Sequence, residues 1–301
     1  MPRIDLHTHT SHSHDGDVEP SELVGLARER GIEHLAVADH NRVTALPEAV
    51  ETGTRLGVEI IPGIEIDCGH KNASIHLLGL YIDYADGAYT ELWADALRRK
   101  REAGMKRADR VRALGLFFED RALEELAQDG MITGTMVADA ALRDPRNADS
   151  ELLRPYRPGG PKSVQPQVGF WWDWCAKGKP AHVDESSPSF RDMAALIRDT
   201  GGVPVIAHPE CNLAAHPEYI PELRREGAAG IEVYCSYHNP DRAAYWLKAA
   251  RDNDMLITCG SDYHGSLKPD IQLGGHGADA LAGEILSRLR EAAERHRRRP
   301  L

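Results

Sequence analysis

Seven short β-branched runs alternate with helical patterns along this chain, and that alternation most restricts what it can fold into. The runs are Arg3–Leu6, Leu35–Asp39, Glu59–Pro62, Ser74–Tyr81, Val203–Ala207, Gly230–Tyr234 and Leu256–Gly260. Val203-Pro204-Val205-Ile206-Ala207 is apolar at every position, as a strand covered on both faces is. Pro20 stands where a first helical residue would, with Leu23, Leu26 and Ala27 at helical spacing and Gly31 beyond the last turn. Asn239 reads as the N-cap of a second helix that Pro240 opens, with Ala243, Ala244, Leu247 and Ala250 facing inward. Strand, helix, parallel strand, repeated, predicts an α/β barrel of the TIM-like kind.

One interval breaks the rhythm. After Tyr81 no barrel strand is expected until Val203, and the intervening patterns read as helices at 90–114, 120–128, 135–143 and 165–177. We therefore expect a barrel built from residues 1–84 and 186–301, with a small helical subdomain inserted at 85–185. An insertion after the C-terminal end of a barrel strand overhangs the active-site face, so a lid or substrate-recognition role is expected.

Composition narrows the partners. Asp and Glu number 47 against 36 Lys and Arg, a net charge of −11, which makes a poor binder of long nucleic acid and leaves room for a nucleotide or short oligonucleotide. No apolar run reaches the ~18 residues of a membrane span. Met1-Pro2-Arg3-Ile4-Asp5 has no apolar signal region. Five cysteines, at 68, 175, 211, 235 and 259, form neither a C-x-x-C pair nor a disulfide framework, and a reducing cytoplasm is the expected setting. Nothing in the sequence predicts an oligomeric state.

The 15 histidines decide the chemistry. The first run ends in His7-Thr8-His9, two imidazoles on one strand face, and continues through His12, His14 and Asp15. Asp39-His40 ends the second run, Glu65 follows the third, His76 lies in the fourth, His208 follows the fifth, and Asp262 and His264 follow the seventh. Glu232 lies within the sixth. A lone histidine at a strand end is ordinarily a loop or core residue. A convergent buried set of His and carboxylates, however, would be costly without cations to neutralise it. Imidazole with carboxylate suits Zn, Fe or Mn, and the set is large enough for two or three divalent ions. Such ions lower the pKa of bound water and clamp an in-line displacement at phosphorus. No Gly-rich phosphate loop and no G-x-S-x-G occurs.

His7-Thr8-His9, Asp15-Gly16, Asp39-His40-Asn41, Gly63-Ile64-Glu65, His76-Leu77-Leu78-Gly79, Ala207-His208-Pro209 and Ser261-Asp262-Tyr263-His264 resemble, in order and spacing, the successive motifs of the PHP (polymerase and histidinol phosphatase) family. Gly178-Lys179-Pro180 resembles the subgroup with a helical insertion, which includes nucleotide phosphoesterases, exo-oligoribonucleases and cyclic phosphodiesterases. The resemblance implies a distorted seven-stranded (β/α)7 TIM-like barrel with a trinuclear metal site. Carried over by residue, it implies that His7, His9, Glu65 and Asp262 hold one ion. Glu65 bridges to a second held by His76 and His208, and Asp15, His40 and His264 hold a third. His14 competes with Asp15 for its place, and the glycine that follows favours Asp15.

The implied activity is a metal-dependent hydrolysis of phosphate esters by metal-bound hydroxide. The substrate would be a small phosphorylated metabolite, a nucleotide or a cyclic phosphate, with Asp262 and His264 in catalytic roles. Lys179, in a matched motif, is the first candidate for holding substrate, with Lys177 and Arg101 behind it. One of Trp171, Trp172 and Trp174 is a candidate to stack on a base or sugar, the others being core. Two departures bear on the substrate. Ile132-Thr133-Gly134-Thr135-Met136 stands where related insertions carry an Arg and a His, and Glu210-Cys211 places a carboxylate where a small residue is usual. The alternatives are a carbon–nitrogen hydrolase on a similar barrel, or a non-catalytic metal-stabilised PHP-like domain.

Overall fold

The computed structural model describes residues 3–127 and 130–298. It comprises two compact units, one of Met1–Leu92 with Ser187–Leu301 and one of Trp93–Ser186. The first carries a seven-stranded sheet of sequential order: β1 (Arg3–Thr8), β2 (Ile32–Val37), β3 (Glu59–His70), β4 (Ala73–Leu80), β5 (Val203–Ile206), β6 (Gly230–Cys235) and β7 (Leu256–Gly260). Beyond the paired strands, β1 meets β7. His9 N donates to Tyr263 O at 2.9 Å and Asp262 N to His7 O at 2.8 Å, which closes the sheet on itself. This is a distorted (β/α)7 TIM-like barrel.

The distortion lies at β4. The strand pairs antiparallel with both β3 and β5, while the other pairs are parallel. An all-parallel repeat was the expectation, and here it is corrected. A two-residue connection, Lys71-Asn72, joins β3 to β4, too short for the crossover a parallel partner needs. For the same reason β3 continues to His70 instead of ending near Pro62, which leaves Glu65 in the middle of a strand.

The alternation of side chains across these strands positions the site. On β2 and the residues after it, Ala36, Ala38 and His40 share a parity; so do Ile61 and Glu65 on β3, and His76, Leu78 and Leu80 on β4. The apolar members form one buried cluster with Val203, Val205, Ala207 and the apolar face of the C-terminal helix Ala282–Arg297. The inward face is thus hydrocarbon toward one end of the barrel and imidazole or carboxylate toward the other. A second cluster, with Leu23, Val24, Leu35, Ile64, Ile66 and Trp246, packs helices against the outside of the sheet. Those helices begin and end as their sequences dictate. Asn239 caps Pro240–Asp252 by accepting Arg242 N, and Gly31 follows Pro20–Glu29 at φ 71°.

The second unit is helical. Gly87–Ala113 enters it, followed by Asp120–Leu126 and Gly134–Arg143. Residue 128, the expected end of the 120–128 helix, lies outside the described residues. The expected 165–177 helix is Pro166–Phe170 continued by a wider π turn, Trp171–Cys175. Its core includes Val111, Leu123, Ile132, Val137, Leu153 and Phe170. Among the described residues no helix is long and apolar enough to cross a membrane.

Candidate metal centre

Glu65 is the hub. It is 1% exposed, and imidazoles surround both of its oxygens. Oε1 faces His208 Nε2 at 2.9 Å and His76 Nδ1 at 3.0 Å. Oε2 faces His9 Nε2 and His40 Nε2 at 3.2 Å and His7 Nε2 at 3.3 Å. One carboxylate therefore touches two separate groups of histidines, one through each oxygen.

The other strand ends complete four overlapping groups: His7, His9, Glu65 and Asp262; Glu65, His76 and His208; His9, Asp15, His40 and His264; and His40, Asp67 and His76. Within each, the donor atoms lie within 4.8 Å of one another. Asp262 Oδ1 is 3.1 Å from His9 Nε2 and 3.2 Å from His7 Nε2. Asp15 Oδ2 is 3.1 Å from His264 Nε2 and 3.5 Å from His40 Nε2. All nine of the histidines and carboxylates expected as ligands thus come together. Asp15, and not its rival candidate His14, is a member of one of these groups; the exposed His14 ring lies 5.2 Å from that of His40.

The surrounding hydrogen bonds settle which way the rings present themselves. His7 Nδ1 meets Glu232 Oε1 at 3.1 Å, and Glu232 Oε2 accepts His208 N at 2.8 Å. His264 Nδ1 donates to the Asp262 carbonyl at 2.7 Å. With Nδ1 carrying the proton, the remaining Nε2 lone pair faces the cluster. His7 Nε2 then points at His9 Nε2, 3.2 Å away, and at two carboxylate oxygens, which are acceptors like itself. Acceptor facing acceptor in a buried site needs a positive charge between them, and this donor set fits divalent cations. Without ions the charge redistributes onto the side chains. Burial works against each ionised form. Nonetheless, Glu232, Glu65 and Asp262 hold the His7 imidazole well above its usual pKa, and Glu65 and Asp67 do the same for His40. Conversely, the imidazoles hold the Glu65 and Asp262 carboxyls well below theirs despite burial.

Backbone geometry at the rim is unusual. Asn41, His208 and Asp262, each just beyond a strand, have φ of 56°, 22° and 59°, a region that L residues seldom occupy. Asp39 belongs to the scaffold. Its carboxylate accepts Thr10 N at 2.7 Å and Thr10 Oγ1 at 2.8 Å. Asp5 likewise accepts Ser261 N and Gly274 N.

Sequence reasoning missed three neighbours of the cluster. Asp67, two residues beyond Glu65 on the same face of β3, meets His40 Nδ1 at 3.1 Å. Tyr237 Oη donates to Asp262 Oδ2 at 2.5 Å, and Lys268 Nζ donates to the same oxygen at 2.9 Å. Asp67 was signalled by the alternation Ile64-Glu65-Ile66-Asp67. Tyr237 and Lys268 lie on loops, where no periodicity marks them.

The expected substrate residues lie in the second unit. Lys177 and Lys179 are exposed there. Arg101 is engaged with Glu124 at 2.9 Å and the Gly130 carbonyl at 3.4 Å. Trp172 is 62% exposed, whereas Trp171 and Trp174 are partly buried. Gly134 is closed off: a Cβ there would stand 2.4 Å from Trp171 Cδ1 and 3.2 Å from Arg107 Cδ. Glu210, expected to face substrate, instead binds Arg242 Nε at 2.7 Å and Trp246 Nε1 at 3.0 Å.

Residues 5–105 match the PHP domain family. The chain is 28% identical over 280 residues to a 3',5'-nucleoside bisphosphate phosphatase of Chromobacterium violaceum, covering 88% of each. It is 27% identical over 276 residues to the 5'-3' exoribonuclease Rnm of Salmonella typhimurium, covering 90% of this chain and 87% of that one. A crystal structure from Bifidobacterium adolescentis, assigned as a metal-dependent phosphoesterase, superposes with a TM-score of 0.73 at 25% identity, covering 95% of this chain and 96% of its own. Together with four convergent ligand groups at the barrel's strand ends, these likenesses place a PHP domain at residues 5–105 and give the chain the fold of a PHP-domain metal-dependent phosphoesterase with a helical insertion in its barrel.

Proposed function

We propose that this chain is a metal-dependent phosphate-ester hydrolase acting on a small phosphorylated molecule of the ribose-phosphate class, and that two or three divalent ions occupy the site. The observation that carries the reading is Glu65, whose two oxygens face two different sets of imidazoles, the arrangement of a bridging ligand. Ions held there would supply hydroxide near neutral pH and neutralise charge developing on the phosphoryl oxygens.

The chain's own groups then have separable tasks. His7, His9, Asp15, His40, Glu65, His76, His208, Asp262 and His264 hold the ions, with Asp67 as a tenth candidate. Glu232 fixes the His7 ring from behind. Asp262 Oδ1 faces the cluster, and we assign it the proton of the attacking water; that proton leaves with the alcohol when the ester P–O bond breaks. His264 has both nitrogens engaged, and burial pushes its pKa down, which suits a neutral ligand better than an acid. The ribose-phosphate class rests on the nucleoside bisphosphatase and exoribonuclease relatives. We assign substrate selection to the insertion and no ion-holding role.

The test is a phosphate-release screen of the metal-loaded protein against nucleoside mono-, bis- and cyclic phosphates. Turnover of at least one ribose phosphate, abolished by chelation, is expected. Release of amine from amides with no phosphate release would replace this reading by a carbon–nitrogen hydrolase.

A further inference from the structure

The outer oxygen of Asp262 anchors a short hydrogen-bonded chain that leads out of the buried cluster. Tyr237, on the loop after β6, donates to Asp262 Oδ2 at 2.5 Å, and its ring stands edge-on to His208 at 5.8 Å. Lys268, beyond β7, donates to the same oxygen at 2.9 Å and to Tyr237 Oη at 3.1 Å. The Asp262 side chain is 3% exposed, whereas that of Lys268 is 36% exposed. An ammonium has three donors. Two are used here, and the third has no partner among the described residues. The chain thus ends in a cation with one free donor, fixed in place beside the carboxylate that faces the ligand groups and open to solvent on its other side.

We infer that Lys268 receives a non-reacting oxygen of the substrate's phosphoryl group, and that Tyr237 is the residue that positions it. This rests on the phosphate-ester reading above. An incoming phosphoryl dianion needs charge-assisted donors besides the ions, and an ammonium serves as a point charge for it. Asp262 and Tyr237 hold that ammonium from one side only, which orders the side chain before substrate arrives and lowers the entropy cost of binding.

The experiment measures binding of inorganic phosphate to the metal-loaded protein by titration calorimetry. It runs alongside metal content, melting temperature and the KM and kcat for p-nitrophenyl phosphate. Lys268→Met should keep wild-type metal content and melting temperature, weaken phosphate binding at least tenfold, and raise KM by more than it lowers kcat. Lys268→Arg should recover most of the phosphate affinity. Tyr237→Phe should retain the metals and weaken phosphate severalfold. Unchanged phosphate affinity in Lys268→Met, with the wild type binding phosphate, overturns this inference and leaves the phosphate-ester reading standing. Metal loss in Lys268→Met in step with phosphate loss also overturns it, because Lys268 would then only support the ligands. A wild type that neither binds phosphate nor cleaves any phosphate ester removes both.

Discussion

The barrel and the insertion treat charge in opposite ways. In the barrel, His7, His9, His264, Glu65 and Asp262 are buried together, with acceptor atoms facing one another. In the insertion the charges pair off at the surface, as in Arg101 with Glu124, Arg146 with Asp144 and Lys162 with Asp173, around an apolar core. No group of three or more potential ligands forms among the described residues of the insertion. Exposed pairs of this kind contribute little to stability, about 0–1 kcal/mol each. A buried convergent set of imidazoles and carboxylates is costly unless positive charge neutralises it, and this donor chemistry fits divalent cations. The comparison teaches that every candidate ion-holding group among the described residues belongs to the barrel, which is why the proposal leaves the insertion only a part in substrate selection.

The most severe way to break this contrast is Glu65→Gln. Losing a ligand shared by two groups should cost several kcal/mol of charge stabilisation, roughly a thousandfold in kcat, with bound metal falling too. Near-normal turnover at full metal content would remove the hub from the account. Glu232→Gln should act one step further out. It leaves the ligands in place but loosens the hold on His7 Nδ1, so metal affinity should fall on the order of 10–100-fold by competition with a chelating dye. An unchanged affinity would show that the His7 ring is fixed by packing alone.

Two smaller perturbations address the insertion. Gly134→Ala drives a methyl into Trp171 and should cost about 1–3 kcal/mol of stability. Metal content should stay intact, as read by thermal unfolding with parallel metal analysis. The same geometry means that an Arg at Gly134 would disrupt packing before it could serve a phosphate. Lys179→Ala is the mildest change: KM should rise a few-fold with kcat and melting temperature unchanged. A fall in kcat matching that of a ligand mutant would erase the division of labour between the two units.

Most of the barrel was legible because the sheet buries its strands, so their sequences are apolar and their ends carry the polar residues. His7 and His9 were readable from their two-residue spacing, and Glu65, His76 and His208 from polar residues in or just after apolar runs. The direction of β4 was not, because alternation along a strand is the same in either direction; the clue was the short Lys71-Asn72 connection. Asp67 escaped because β3 was taken to end near Pro62. Glu210 was misread because its partners, Arg242 and Trp246, are supplied from a helix some thirty residues later. Gly134 likewise depends on Trp171, a neighbour through tertiary packing only.

The central claim is that the overlapping groups around Glu65 hold divalent ions on which turnover depends. Its most direct test is elemental analysis of the purified protein, then of the chelated and reloaded protein, with phosphate release and melting temperature measured on each sample. The account predicts two or three ions per chain and loss of phosphate release on stripping. It further predicts a fall in melting temperature of roughly 5 °C or more, and recovery of both when Mn, Fe or Zn is restored. Undiminished phosphate release and an unchanged melting temperature, after verified removal of the metal, would contradict it.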